Sequence, residues 1–243
     1  MIIKNKRIVI TGGTSGVGYE LVKQLHTDNE IIVISRNNKK LRKLTQEFDR
    51  VVCYQADLSK PGEIETIANT IVDKYDSIDI MINNAAIQFT PTFLDDDFSY
   101  ESISQEITLN FTSICNMSYL FLPLLLHNNK AIILNINSGL ALAPKTSSAI
   151  YCATKGALNI FSQSLRYQLE NTNISVQQAF LELVDTAMTV GRGKNKMSAE
   201  QASKTIIRGM ERNLLDHDIG KVKLLRFLLR LVPPLAKKIM KKY

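Results

Sequence analysis

The sequence predicts an α/β fold, a doubly wound parallel β-sheet flanked by helices. Three observations predict it. Short runs rich in β-branched residues alternate with longer amphipathic stretches along the chain. The short runs are apolar nearly throughout, as strands buried on both faces are, instead of apolar at every second residue. No repeat, low-complexity segment or linker breaks the alternation, and 243 residues with 45% apolar and 22% charged side chains suffice for one sizeable core. Parallel neighbours must be joined by crossovers, which are almost always right-handed and place helices on both faces.

Six runs read as strands: RIVIT at 7–11, EIIVIS at 30–35, VVCYQA at 51–56, IDIMIN at 78–83, KAIILNIN at 130–137 and ISVQQAF at 174–180. Helical patterns lie at about 16–28, 37–48, 61–75, 99–127, 149–171 and 198–213. Pro61 fits the first turn of a helix, where its missing N–H costs nothing, and Ser198 with Gln201 three residues on resembles a capping box.

The formal charge of +7 is unevenly spread. Residues 221–243 hold eight of the 30 Lys/Arg and no Asp/Glu, which leaves 22 basic against 23 acidic residues elsewhere. A near-neutral body with a basic end argues against nucleic acid as a partner. Cys53, Cys115 and Cys152 are odd in number and lack Cys-x-x-Cys spacing, and the three histidines are scattered, so neither a disulfide frame nor a metal site is expected. The first residues, MIIKNKRIVITGG, run straight into an apolar strand with no room for a signal peptide, and with the cysteine usage this predicts a cytoplasmic protein.

Directly after the first strand stands TGGTSGVG, with Gly12, Gly16 and Gly18, and then the helical YELVKQL. Glycine permits a tight turn and close backbone approach, while the helix N-terminus behind it offers free N–H groups and a positive dipole end to a pyrophosphate. The predicted ligand is a dinucleotide; a glycine triplet taken alone also reads as a merely flexible turn. At the end of the second strand a free adenosine 2′-hydroxyl would require an acidic residue, but Ser35 and Arg36 stand there, followed by Lys39 and Lys40. An arginine can hold a 2′-phosphate, so NADP(H) is favoured over NAD(H); the other reading of Arg36 is a solvated surface charge. Asp57, after VVCYQA, is either a strand-end turn residue or a partner of the adenine amino group.

AIYCATKGAL at 149–158 places Tyr151 four residues before Lys155, a spacing that chance supplies often enough to prove nothing alone. Ser138 lies in NINSGLA just after the fifth strand, and Asn110 lies in TLNFTS inside a long helix. Each alone reads as structural, a turn residue and a mid-helix asparagine bonding locally. Taken in order, however, TGGTSGVG, ADL at 56–58, NNAA at 83–86, Asn110, Ser138 and YCATK thirteen residues later resemble the short-chain dehydrogenase/reductase family, single-domain Tyr-x-x-x-Lys type, over nearly the whole chain. LVDTAMT and the closing GKVKLLRFLLRLVPPLAKKIM are most similar to the branch of dehydrogenase-like proteins encoded with D-alanine lipoteichoic-acid operons.

The resemblance implies a Rossmann-like sheet of about seven strands in an NADP-binding catalytic domain at 1–220, with 221–243 as a basic amphipathic extension of the same domain. It implies an NADP(H)-dependent oxidoreductase acting on a small-molecule carbonyl or secondary alcohol. Tyr151 would be the general acid in reduction and the base in oxidation, its pKa lowered from about 10 by the charge of Lys155 on the same helix face. Lys155 would also bind the nicotinamide ribose, Ser138 the substrate oxygen, and Asn110 a water linking Lys155 to solvent. Gly12, Thr14, Ser15, Gly16, Val17 and Gly18 become the pyrophosphate loop. Asp57 and Leu58 would meet the adenine, Asn84 and Ala85 the adenosine side, and Val184 with Thr186 the nicotinamide carboxamide. By the same analogy the protein is a homodimer or homotetramer.

Two positions depart from the family pattern. Ala86 stands where glycine is usual, which requires a negative φ there. Glu182 and Leu183, in FLELVDT, stand where Pro-Gly is expected, and a carboxylate so placed needs a partner or faces the cleft. TVGRGKNKMS at 189–198 suits either a mobile lid or a plain surface loop, and QFTPTF at 88–93 with Leu140 and Leu142 is expected to give the cleft an apolar lining. From Lys221 onward, Leu224, Leu225, Phe227, Leu228, Leu231 and Val232 form an apolar stripe that Pro233 and Pro234 break. Too short and too charged to span a bilayer, this segment either packs on the body or a neighbouring subunit, or lies against an anionic membrane surface. A second functional reading is a non-catalytic NADP(H)-sensing or partner-binding module on the same fold.

Overall fold

The computed structural model describes residues 2–242. The first half contains β1 (Arg7–Thr11), α1 (Gly16–Leu25), β2 (Glu30–Ser35), α2 (Asn38–Glu47), β3 (Val51–Gln55), α3 (Pro61–Val72), β4 (Ile80–Asn83), α4 (Tyr100–Ile107), α5 (Ser113–Leu120) and α6 (Leu122–Leu126). The second contains β5 (Ala131–Ser138), α7 (Ala149–Gln168), β6 (Ile174–Leu181), the short pair β7 (Val184–Asp185) and β8 (Met197–Ser198), α8 (Ala199–Glu211), β9 (Asp216–Asp218), α9 (Val222–Leu231) and α10 (Pro233–Lys241). Seven strands form one sheet in the order β3-β2-β1-β4-β5-β6-β9, every pairing parallel. The chain leaves β1 toward β2 on one side and later returns to β4 on the other. That reversal opens a crevice at the C-terminal ends of β1 and β4, where sheets of this kind bind ligands.

Alternation within each strand divides the core in two. Ile8, Ile10, Ile31, Val33, Ile80 and Ile82 pack with Leu21 and Val22 of α1 and with Ile206 and Met210 of α8. Val9, Ile32, Ile34, Met81 and Ile133 pack on the opposite face with Ile64 and Ile71 of α3 and Met117 of α5. A strand with both faces covered has no polar side, which is why the runs read as continuously apolar. Each fully buried aliphatic side chain contributes roughly 1.5–3 kcal/mol.

The seventh strand, β9, has no apolar pattern: its sequence is Asp-His-Asp, with only His217 buried. It is held by charge, Arg226 donating twice to the Asp218 carboxylate (2.6 and 2.8 Å) and Arg166 to Asp216 (2.5 Å). The helix expected over 99–127 is three segments. A π-helical turn at Thr108–Thr112 separates α4 from α5, and Pro123 starts α6. Ser198 caps α8 by accepting from the Gln201 N–H (3.1 Å). The C-terminal segment packs on the body. α9 rests on the turn after β5, where a Cβ at Gly139 would lie 3.2 Å from a Val222 methyl, and the Thr146 hydroxyl donates to the Lys241 carbonyl at 2.7 Å.

Candidate active site

Where β1 ends, the backbone of Gly12 takes φ +68, and a Cβ there would lie 2.9 Å from Cα of Ala85. Only glycine satisfies both conditions. Gly18 serves helix packing instead, since a Cβ on it would stand 2.3 Å from the Gly12 carbonyl oxygen, and its absence lets α1 close on the loop. The loop after β4 is clamped alongside. Thr11 Oγ1 accepts the N–H groups of Asn84 and Ala85 (both 3.0 Å), while Asn84 Nδ2 donates to the Thr11 and Gly12 carbonyls (3.0 and 3.2 Å). The first turn of α1 carries no acidic side chain, and Ser15 at its N-cap makes no side-chain bond to it, so the first N–H groups are left for an external acceptor.

These loops open on a cavity of about 590 Å³. Every predicted site residue except Gly18 and Asn110 lines it. Arg36 is exposed at its edge beside Asn37 and Lys40, whereas Lys39 does not reach it. Asp57 both makes a turn and lines the cavity: its carboxylate accepts the Ser59 N–H (3.0 Å) and hydroxyl (2.7 Å). Burial pushes that carboxyl upward, but the bonds from Ser59 and the charges of Arg36 and Lys60 outweigh it and hold the pKa below the usual carboxylate range.

Tyr151 and Lys155 project from α7 toward the end of β5. Lys155 is buried, donates to the Ile136 carbonyl at 2.8 Å, and lies 5.7 Å from the centroid of the Tyr151 ring. Burial lowers its pKa to about 8. The half-buried Tyr151 phenol departs from the expectation of a lowered pKa. Desolvation pushes it up from 10, Cys152 and Glu106 add to this, and Arg192 and a hydrogen bond with Ser138 only partly oppose it. The phenol is therefore protonated at neutral pH. Ser138 Oγ also accepts the Leu140 N–H (3.1 Å), which holds the hydroxyl at the mouth of β5.

Asn110 does not line the cavity. It sits fully buried in the π-helical turn, and its amide braces the loop after β4: Oδ1 accepts the Ile87 N–H (2.9 Å), while Nδ2 donates to the Ile87 carbonyl (2.8 Å) and to Thr154 Oγ1 (3.4 Å). Both amide protons are so used, and a relay water would be met through the oxygen acceptors of Asn110 instead. Ala86 is not among the described residues of positive φ, so its methyl group is accommodated. Glu182 has its partner in the N–H of Lys221 (3.1 Å), which ties the end of β6 to the start of α9.

Several contributors were not foreseen. The apolar wall comes from Leu224, Leu225, Leu228, Ile239 and Met240 of α9 and α10 together with Leu140, whereas Leu142 and the phenylalanines of QFTPTF do not line the cavity. The 189–198 segment is tied down by Arg192, which donates to Gln88 Oε1 (2.5 Å), and by Lys196, which donates to Asp185 Oδ1 (3.2 Å). Lys145 also lines the cavity. The signals for these residues lie in contacts across the fold, which no spacing along the chain reveals.

A family model described as short chain dehydrogenase matches residues 6–197, and the chain belongs to that family of oxidoreductases. Among its relatives is the uncharacterized oxidoreductase DltE of Bacillus subtilis (strain 168), 33% identical over 189 residues that cover 77% of this chain and 75% of that one. The very-long-chain 3-oxoacyl-CoA reductase of Bos taurus is 29% identical over 189 residues, covering 74% of this chain and 60% of its own. In fold, a short chain dehydrogenase from Burkholderia cenocepacia J2315 in complex with NADP superposes with TM-score 0.88 at 21% identity over 99% of both chains. A short chain dehydrogenase/reductase from Burkholderia phymatum in complex with NAD gives 0.84 at 16% identity, covering 95% and 96%. Among the described residues no helix is long and apolar enough to cross a membrane.

Proposed function

We propose that this protein is an NADP(H)-dependent oxidoreductase that transfers a hydride between the cofactor and a carbonyl or secondary alcohol, with Tyr151 as the proton donor in the reducing direction. The observation that carries the proposal is the common cavity: the hydroxyls of Tyr151 and Ser138 open on the same space as the glycine loop, with Lys155 one helical turn away. A phenol held protonated in a partly desolvated site can give its proton to a developing alkoxide, and general acids of this kind contribute roughly 10²–10⁴ in rate. Ser138 supplies a second hydroxyl to hold the carbonyl oxygen beside that proton. Lys155, buried and fixed on the Ile136 carbonyl, places positive charge by the ring, which favours the tyrosinate left behind.

The cradle fits a dinucleotide. A Cβ would fill it at Gly12, and the first N–H groups of α1 face it without an acidic neighbour. Thr14, Ser15, Gly16 and Val17 would hold the pyrophosphate, Leu58, Asp57, Asn84 and Ala85 the adenosine half, and Val184 and Thr186 the carboxamide. A nicotinamide bound there supplies the hydride. Structural neighbours hold NADP in one case and NAD in another. The preference for a 2′-phosphate rests on Arg36 and Lys40 at the cavity edge, where an NAD-type site would need a carboxylate.

The test is NADPH oxidation by the purified protein over a panel of ketones, aldehydes and quinones, compared with Tyr151→Phe. We expect a loss of roughly 10²–10⁴-fold in the variant. No Tyr151-dependent oxidation across the panel would refute the enzyme and favour a nucleotide-sensing module. The free Cys53, Cys115 and Cys152 support a reducing, cytoplasmic setting. Exposed Leu224, Phe227 and Leu231 beside Lys223 and Arg230, continued by exposed Leu235 with Lys237 and Lys238, support peripheral contact with anionic lipid, which vesicle sedimentation with and without residues 233–243 tests.

A further inference from the structure

This inference rests on the carbonyl-reductase reading and narrows its substrate. We propose that the substrate is an oxo acid with an apolar chain, its acidic group held by Lys145 and Arg192 and its chain by α9 and α10. Lys145 lines the cavity with Tyr151 and Ser138, and its ammonium has no hydrogen bond or ion pair with any described residue. Arg192 reaches the same side through its bond to Gln88, itself a lining residue, and its guanidinium has further N–H donors to spend. Among the described residues no carboxylate pairs with either cation. The nearby acid, Glu106, is buried, accepts the Phe89 N–H (2.9 Å), and is pushed by burial toward its protonated form.

Two half-buried like charges without a counterion are a costly arrangement that a bound anion relieves. Burial, reinforced by Arg192, accordingly lowers the Lys145 pKa. The anion is not the cofactor's 2′-phosphate. Arg36 stands at the end of β2 and Lys145 in the loop after β5, three strand positions apart in the sheet. At about 4.8 Å per strand that is roughly 14 Å, too far for one phosphate to span. The apolar part of the site begins beside Ser138, where Leu225 of α9 comes within 3.5 Å of a Cβ at Gly139, and continues through Leu228, Ile239 and Met240. Lys145 and a hydrocarbon wall thus share one cavity with the proton donor, and Arg192 is bonded to Gln88 of the same lining.

Calorimetric titration of the NADP-loaded full chain with octanoate, octan-1-ol and acetate tests this without requiring turnover. Octanoate is expected to bind at least tenfold more tightly than either of the others, and Lys145→Met or Arg192→Met to remove its advantage over octan-1-ol. Equal binding of octanoate and octan-1-ol, or an advantage that survives both substitutions, overturns the acid site; equal binding of octanoate and acetate overturns the apolar one. Where the panel shows turnover, kcat/KM for 3-oxooctanoate should exceed that for its methyl ester at least tenfold, and Lys145→Met should collapse that ratio. Tyr151→Phe should keep the octanoate advantage while losing turnover, so proton donation and acid binding fail separately.

Discussion

Lys155 is caught between two requirements, a fixed charge beside the Tyr151 ring and burial that opposes charge. Its folded-state pKa of about 8 lies below the ordinary 10.5. Below pH 8 the folded and unfolded chains both hold the proton, and the full cost of the buried charge is present. Between pH 8 and 10.5 the folded chain sheds its proton first, so stability rises with pH through that window by up to roughly 3 kcal/mol. Urea denaturation from pH 7 to 10 should show this rise in the wild type and not in Lys155→Met; parallel profiles would sink the assignment. Arg36 is tested at the same scale by steady-state kinetics. Arg36→Ala should raise the KM for NADPH at least tenfold and that for NADH much less, and equal changes would leave it a surface charge. That Tyr151, Lys155 and Arg36 lie along one cavity with the glycine loop was legible in the sequence because each is announced by neighbours within a few positions. The direction of the Tyr151 shift was not, since it depends on what burial and Glu106 do around the ring.

Among the elements, the junction of β6 and α9 differs most from the family pattern. Glu182, in place of the usual Pro-Gly neighbourhood, accepts the N–H that opens α9, and α9 then forms the apolar wall of the cavity. Losing one such hydrogen bond costs about 1–2 kcal/mol. Glu182→Ala should therefore open α9 locally and speed tryptic cleavage at Lys221, Lys223 and Arg226 roughly tenfold, while Glu182→Gln keeps an acceptor oxygen and stays near wild type. Cleavage rates that do not change would show that the apolar packing of α9 alone holds it. The alternation of strands and helices was readable because burial on both faces leaves a continuous apolar run. β9 and the break at Asn110 were not: Asp216 is held by Arg166, 50 residues earlier, and Asp218 by Arg226 of α9, while Asn110 turns inward to serve a loop 23 residues earlier.

For the molecule as a whole, a homodimer is expected across the outer face of α7. Ile160 and Tyr167, seven residues apart and hence on one helix face, are 66% and 75% exposed. Large apolar side chains in such a row need a cover, and a two-fold axis would pair the row with itself. Light scattering should find a dimer for the wild type and a monomer for Ile160→Glu; a wild-type monomer removes the proposal.

By itself the sequence determined the α/β alternation, the glycine loop and the Tyr151–Lys155 pair, because burial period and motif spacing are properties of neighbouring residues. Only the tertiary structure decided that Asn110 braces a loop, that Glu182 anchors α9, and that α9 and α10 wall the cavity. It alone brought Arg192 to Gln88, 104 residues away, on the side of the cavity where Lys145 has no ion pair among the described residues. Such contacts arise where strand order reverses and distant loops converge, and spacing along the chain carries no record of them.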